Sequence, residues 1–115
     1  MRHIPRKRFG QNFLKDQSVL DAIISAIAPC YSDIMLEIGP GLGAMTEKLL
    51  HHLARLDVIE LDRDLAAYLT NRFPTEKLAV HCRDALDFDI HSLRACSDRK
   101  IRIVGNLPYN ISTPL

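Results

Sequence analysis

Two rhythms of apolar residues alternate along the chain. Over "QSVLDAIISAIA" (17–28), Val19, Leu20, Ile23, Ile24 and Ile27 fall on one face of a helix. Asp16 stands where an N-cap is needed and Pro29 closes the segment. "IMLEI" (34–38) is a short apolar run before a glycine cluster and reads as a buried strand. "AMTEKLLHHL" (44–53) is helical, with Met45, Leu49 and Leu53 on one side. "LDVIE" (56–60) is a second strand, and "RDLAAYLTNRF" (63–73) is a helix that starts after Asp62 and stops before Pro74. "LAVHC" (78–82) and "IRIVG" (101–105) are the third and fourth strands. Residues 84–99 carry a weaker pattern that admits a short helix from His91 to Cys96. Strands alternating with helices define an α/β fold built on a parallel sheet. Right-handed crossovers bring every strand's C-terminal end to one edge, where open α/β sheets bind their ligands.

Composition adds bounds to that picture. At 115 residues the chain fills one small domain, and 47% hydrophobic with 25% charged residues is ordinary for a globular protein. No apolar run reaches the ~18–20 residues of a membrane span, and no apolar stretch follows the basic N-terminus, so no secretory signal or membrane association is expected. Three widely spaced cysteines, Cys30, Cys82 and Cys96, do not suggest a disulfide framework and fit a reducing, cytoplasmic setting. The five histidines make no ligand pair with them, and no metal site is expected. Charge is uneven: residues 1–15 hold Arg2, Arg6, Lys7, Arg8 and Lys15 and no acid, whereas the rest of the chain carries an acidic excess of four. Such an arm is either a solvated tail or a contact for a phosphate backbone.

The candidate chemistry lies at the strand ends. The first strand runs into "EIGPGLGA", with Glu37, Gly39, Gly41, Gly43 and Ala44. Its glycines allow a tight turn and close ligand approach to the backbone. The spacing Gly39-x-Gly41-x-x-Ala44 also matches a dinucleotide fingerprint, and no Gly-Lys-Ser/Thr follows to make a P-loop. The second strand ends at Glu60, 21 residues after Gly39, where an acid takes ribose hydroxyls. Asp62 and Asp64 compete for that role from less favourable positions. The third strand ends near Asp84, placed to accept from an adenine amine; the plain alternative is a turn cap. These features describe a site for an adenosyl group, which NAD and S-adenosyl-L-methionine both carry.

The fourth strand separates those two. It runs into "NLPY" (106–109), which nicotinamide chemistry has no general use for. An exocyclic adenine amine is a poor nucleophile because its lone pair is delocalised into the ring. The Asn106 side-chain oxygen and the Leu107 carbonyl would hold its N–H groups and orient that lone pair. Pro108 would stiffen the turn, and Tyr109 would stack on the base, worth ~1–3 kcal/mol in single-strand binders. Rate would then come from orientation and electrostatic placement rather than from a strong general base.

"RKRFGQNFL" (6–14), "EIGPGLGAMT" (37–46), "VIELDRDLA" (58–66), "RDALDFD" (83–89) and "GNLPYNIST" (105–113) together resemble the N-terminal part of ribosomal RNA adenine N6,N6-dimethyltransferases of the small-subunit type. The resemblance implies a class I, Rossmann-like methyltransferase fold, of which residues 16–115 are the N-terminal portion behind a basic arm at 1–15. It implies S-adenosyl-L-methionine held by Asn12, Leu14, Gly39, Gly41, Glu60, Asp84 and Asn106. Arg6, Lys7 and Arg8 would contact RNA, and Asn106, Leu107, Pro108 and Tyr109 would carry the chemistry. The implied reaction is dimethylation of two adjacent adenosines near the 3′ end of 16S rRNA in ribosome biogenesis, by a monomer acting on immature small subunits. Chains of this family are more than twice as long, so the 115 residues alone are expected to be marginally stable and poorly active. A non-catalytic RNA-binding assembly factor of the same fold is the alternative, and an NAD-binding oxidoreductase rests on the glycine spacing only.

Overall fold

The computed structural model describes residues 16–94 and 100–105. In chain order the elements are α1 (Gln17–Ile27), β1 (Ile34–Ile38), α2 (Ala44–Leu50), β2 (Leu56–Ile59), α3 (Arg63–Arg72), β3 (Leu78–His81) and β4 (Ile101–Gly105), with 3₁₀ turns at Ala85–Asp87 and Ile90–Arg94 between β3 and β4. The four strands form one sheet in the order β3-β2-β1-β4, and every pairing is parallel. The alternation read from the sequence is thus realised, with β1 and β2 central.

Side-chain alternation along the strands separates two apolar layers. Met35, Leu56, Val58 and Leu78 pack with Leu20 and Ile24 of α1, Met45, Leu49 and Leu50 of α2, and Leu69 of α3. On the opposite face Leu36, Ile38 and Ile59 lie under Ala85, Phe88, Ile90 and Leu93 of the 3₁₀ region. Each fully buried leucine or methionine of the larger cluster contributes ~1.5–3 kcal/mol relative to exposure. Short strands with so few polar positions are therefore held by packing on both sides.

The helix starts follow the predicted caps. Asp16 accepts from the backbone N–H groups of Ser18 and Val19, and Asp62 accepts from Leu65 N–H at 3.0 Å. The ends fall earlier than the apolar pattern suggests. α2 stops at Leu50 rather than at 53, because His51 and His52 donate to Lys48 and Leu49 in i→i−3 bonds that tighten the last turn. Leu53 is buried all the same. α1 ends at Ile27, where Ala28 turns into the left-handed region at φ 50° while its N–H still bonds Ile24. α3 ends at Arg72 with Phe73 already extended. The helix expected at 91–96 is a 3₁₀ turn over Ile90–Arg94, and residues 95–99 lie outside the described residues.

β4 is fastened to the rest of the domain by more than its ladder. The Arg102 guanidinium donates to Asp33 Oδ2 at 2.7 Å and to the Ile27 and Ala28 carbonyls. These are unsatisfied acceptors at the C-terminus of α1, so a single cation joins a strand to a helix end. Beyond β4 no further strand is paired among the described residues, and Ile103 is 49% exposed there.

Candidate functional site

The parallel ladder brings the ends of β1, β2, β3 and β4 to one edge, and the turn after β1 crosses it. Gly39, Gly41 and Gly43 take φ values of 72°, 60° and 89°, so all three occupy the left-handed region. Their reasons differ. A Cβ on Gly43 would stand 3.0 Å from Leu69 Cδ2 and 3.2 Å from Phe73 Cε2, so this glycine lets α2 seat against α3. A Cβ on Gly41 would meet nothing within 4 Å. The backbone at Gly41 faces open space, which is what close approach by a ligand requires.

Glu60 directly follows β2. The sequence pattern carries the strand to Glu60, but the ladder ends at Ile59, and the Glu60 carboxylate turns toward the loops. Its Oε1 accepts from Gly41 N–H at 3.2 Å and its Oε2 from Asp62 N–H at 3.0 Å. One side chain, only 6% exposed, thus ties the glycine turn to the loop that starts α3. Each oxygen keeps a second lone pair. Asp62, the rival candidate, is occupied as the α3 cap, and Asp64 sits in the first turn of that helix.

Asp84 is exposed beyond β3 and accepts from Leu86 N–H at 2.9 Å. It therefore does cap a turn, the plain alternative weighed from the sequence, and its exposure leaves it open to a ligand as well. Gly39, Gly41, Glu60 and Asp84 share one edge. Asn12, Leu14, Arg6, Lys7, Arg8, Asn106, Leu107, Pro108 and Tyr109 lie outside the described residues.

Two polar groups of the sheet had no role assigned from the sequence. Glu37, on β1 just before the glycine turn, is 0% exposed. Thr46 in α2, equally buried, donates to its Oε1 at 2.6 Å, while Oε2 has no partner among the described residues. Burial pushes its carboxyl up from 4.5 to about 7, with the Glu60 charge adding to the rise and the Thr46 hydrogen bond opposing it. The second group is Asp57, whose Oδ2 meets His81 Nε2 at 2.8 Å between β2 and β3, with the His81 ring against Phe88. A carboxylate inside an apolar five-residue strand, such as "IMLEI", is the signal that marks Glu37, because a buried acid needs a reason.

The open backbone at Gly41, the carboxylate acceptors of Glu60 beside it and a buried acid with one oxygen unpartnered among the described residues suit a cationic, ribose-bearing ligand. Among the described residues no cluster of side chains suits a metal ion, and no helix is long and apolar enough to cross a membrane. A parallel α/β sheet with a glycine turn and acids at successive strand ends defines the Rossmann-like class of nucleoside-binding folds. Within that class the chain belongs to the ribosomal RNA adenine dimethylase family, whose model matches residues 2–115. It is 56% identical over its whole length to the ribosomal RNA small subunit methyltransferase A of Herminiimonas arsenicoxydans, covering 45% of that protein. It is 51% identical to the protein of the same name from Methylobacillus flagellatus, covering 44% of it. The chain thus spans somewhat less than half the length of these relatives. Its fold matches a dimethyladenosine transferase from Plasmodium falciparum with a TM-score of 0.70 at 32% identity, over 87% of this chain and 35% of that one. It matches the 23S rRNA methyltransferase ErmE at 0.69 and 27% identity, over 88% and 39%.

Proposed function

We propose that the whole protein transfers methyl groups from S-adenosyl-L-methionine to N6 of two adjacent adenosines near the 3′ end of small-subunit rRNA. It acts as a cytoplasmic monomer on immature small subunits. The observation that carries this reading is the joining of Glu60 to the Gly41 backbone at an open strand edge, in a chain of this family. Gly39, Gly41, Glu60 and Asp84 hold the cofactor together with Asn12, Leu14 and Asn106, the lone pairs left on Glu60 serving the ribose hydroxyls. When bound, the cofactor supplies an electrophilic methyl on a sulfonium.

The chain's own part is binding and orientation. Asn106 and Leu107 accept from the target amine and aim its lone pair, Pro108 keeps them in place, and Tyr109 stacks on a base that has left its helix. Arg6, Lys7 and Arg8 neutralise phosphates beside the cofactor arm. The test is transfer of labelled methyl to undermethylated small subunits by the whole protein. Asn106→Ala is expected to lower transfer by about 100-fold or more, as for loss of a positioning contact. Undiminished transfer by that variant removes the amine-orienting role, and no transfer by the wild type overturns the activity.

A further inference from the structure

We propose that Glu37 is a proton-linked acceptor for this site: it holds its proton more firmly than an exposed acid while the site is empty and gives it up when a cationic ligand binds, so that cofactor binding releases protons to solvent. The inference rests on the cofactor reading above and deepens it.

The geometry leaves Glu37 an unusual carboxyl. It is fully buried near the end of β1, two residues before Gly39, and only one of its oxygens has a partner among the described residues. A buried carboxylate with an unpartnered oxygen is costly, and the cost is avoided by protonation. Among the described residues nothing cationic faces it from the elements packed around it. Its ladder neighbours are Val58 on β2 and Val104 on β4. Thr46 meets it from α2 with a neutral hydroxyl, while the charges of that helix are spent elsewhere, Glu47 on Arg72 and Lys48 on Asp21. Asp57 points to the other face of the sheet and pairs with His81. Arg102 is engaged by Asp33 near the opposite end of the strands. The charged group that does act on it is Glu60, and it is negative. Two acids at one strand edge, with no cation beside Glu37 among the described residues, favour a ligand that brings positive charge.

S-adenosyl-L-methionine brings that charge in its sulfonium and ammonium groups. Its arrival favours the ionised form of Glu37, and the balance is simple: the carboxylic O–H breaks, the electron pair stays on the carboxylate, and the proton passes to buffer. With the proton half-dissociated near pH 7 in the empty protein, binding and proton release must vary together with pH. Thr46 is then a positioning residue, since its donated hydrogen bond favours the ionised carboxylate and fixes which oxygen stays free.

The experiment is calorimetric titration of the whole protein with S-adenosyl-L-methionine, in paired buffers of different ionisation enthalpy. Release of up to about one proton is expected at acidic pH, falling as pH rises through neutrality, and affinity should rise severalfold over the same range. Glu37→Gln keeps the shape and the Thr46 contact, and it should abolish both the release and the pH dependence. Comparison with this variant also subtracts protons contributed by the ligand's own amino group. Thr46→Val should move the release to higher pH, whereas a merely structural threonine would weaken binding without moving it. If Glu37→Gln does not fold, the Thr46→Val midpoint decides. Normal binding heat without proton release, or the same release in Glu37→Gln, overturns the inference and leaves the cofactor reading intact. No binding heat from the wild type overturns the cofactor reading, and this inference with it.

Discussion

Glu37 has a consequence for stability before any ligand is present. Its carboxyl is raised from 4.5 to about 7 in the folded chain. Between those pH values the folded state therefore binds more protons than the unfolded state, and stability falls as pH climbs through the window. Glu37→Gln removes that dependence. Urea unfolding should show the variant gaining about 3 kcal/mol on the wild type between pH 4.5 and pH 7.5. A difference that stays constant with pH would mean that the carboxyl ionises normally in the fold. The glycines divide at the same scale. Gly43→Ala puts a Cβ against Leu69 and Phe73 at φ 89°, and it should cost about 2–4 kcal/mol in unfolding experiments. Gly41→Ala meets open space, so it should cost only about 1–2 kcal/mol while weakening cofactor binding the more severely. The glycine spacing was legible in the sequence, but this division of labour was not, because it depends on where α3 lies. Glu60 was legible by position alone. That both its oxygens would hold loop N–H groups follows from tertiary approach, which periodicity does not encode.

At the scale of elements, the strands and helices were readable because short apolar runs and helical stripes alternate, with Asp16 and Asp62 marking the starts. Their ends were less so. Leu53 continues the apolar stripe of α2 and is buried, yet it lies past the helix, because a side chain can reach the core from a turn as well as from a helix. Arg102 is the element-scale contact that no local pattern reveals. It lies 69 residues from its partner Asp33, and it joins β4 to the last carbonyls of α1. Arg102→Ala leaves those acceptors and the Asp33 carboxylate without their cation, and a loss of about 1–3 kcal/mol is expected. Hydrogen exchange locates the effect: amides of β4 and of the α1 C-terminus should lose protection before those of β2 and β3. Uniform loss across the sheet would show that Arg102 acts on the whole core rather than on this junction.

For the molecule as a whole, one sheet edge collects the glycine turn, Glu60 and Asp84, which are far apart in the chain and adjacent only because every strand runs the same way. Parallel topology is thus the feature that brings three scattered sequence signals to one candidate site, and the alternation of strands and helices along the chain already implies it. The charge pattern belongs to this scale too, with a basic arm ahead of an acidic body whose buried acids Glu37 and Glu60 lie toward the C-terminal ends of the strands. The central claim is that this edge holds S-adenosyl-L-methionine through Glu60. Its most direct test is calorimetric titration of the whole protein and of Glu60→Ala with S-adenosyl-L-methionine and with NAD, the fold of each being checked by circular dichroism. The account predicts that the wild type binds S-adenosyl-L-methionine in preference to NAD, and that a folded Glu60→Ala loses at least about tenfold in affinity, or about 1.4 kcal/mol. Undiminished binding by Glu60→Ala, or a preference for NAD, would contradict it.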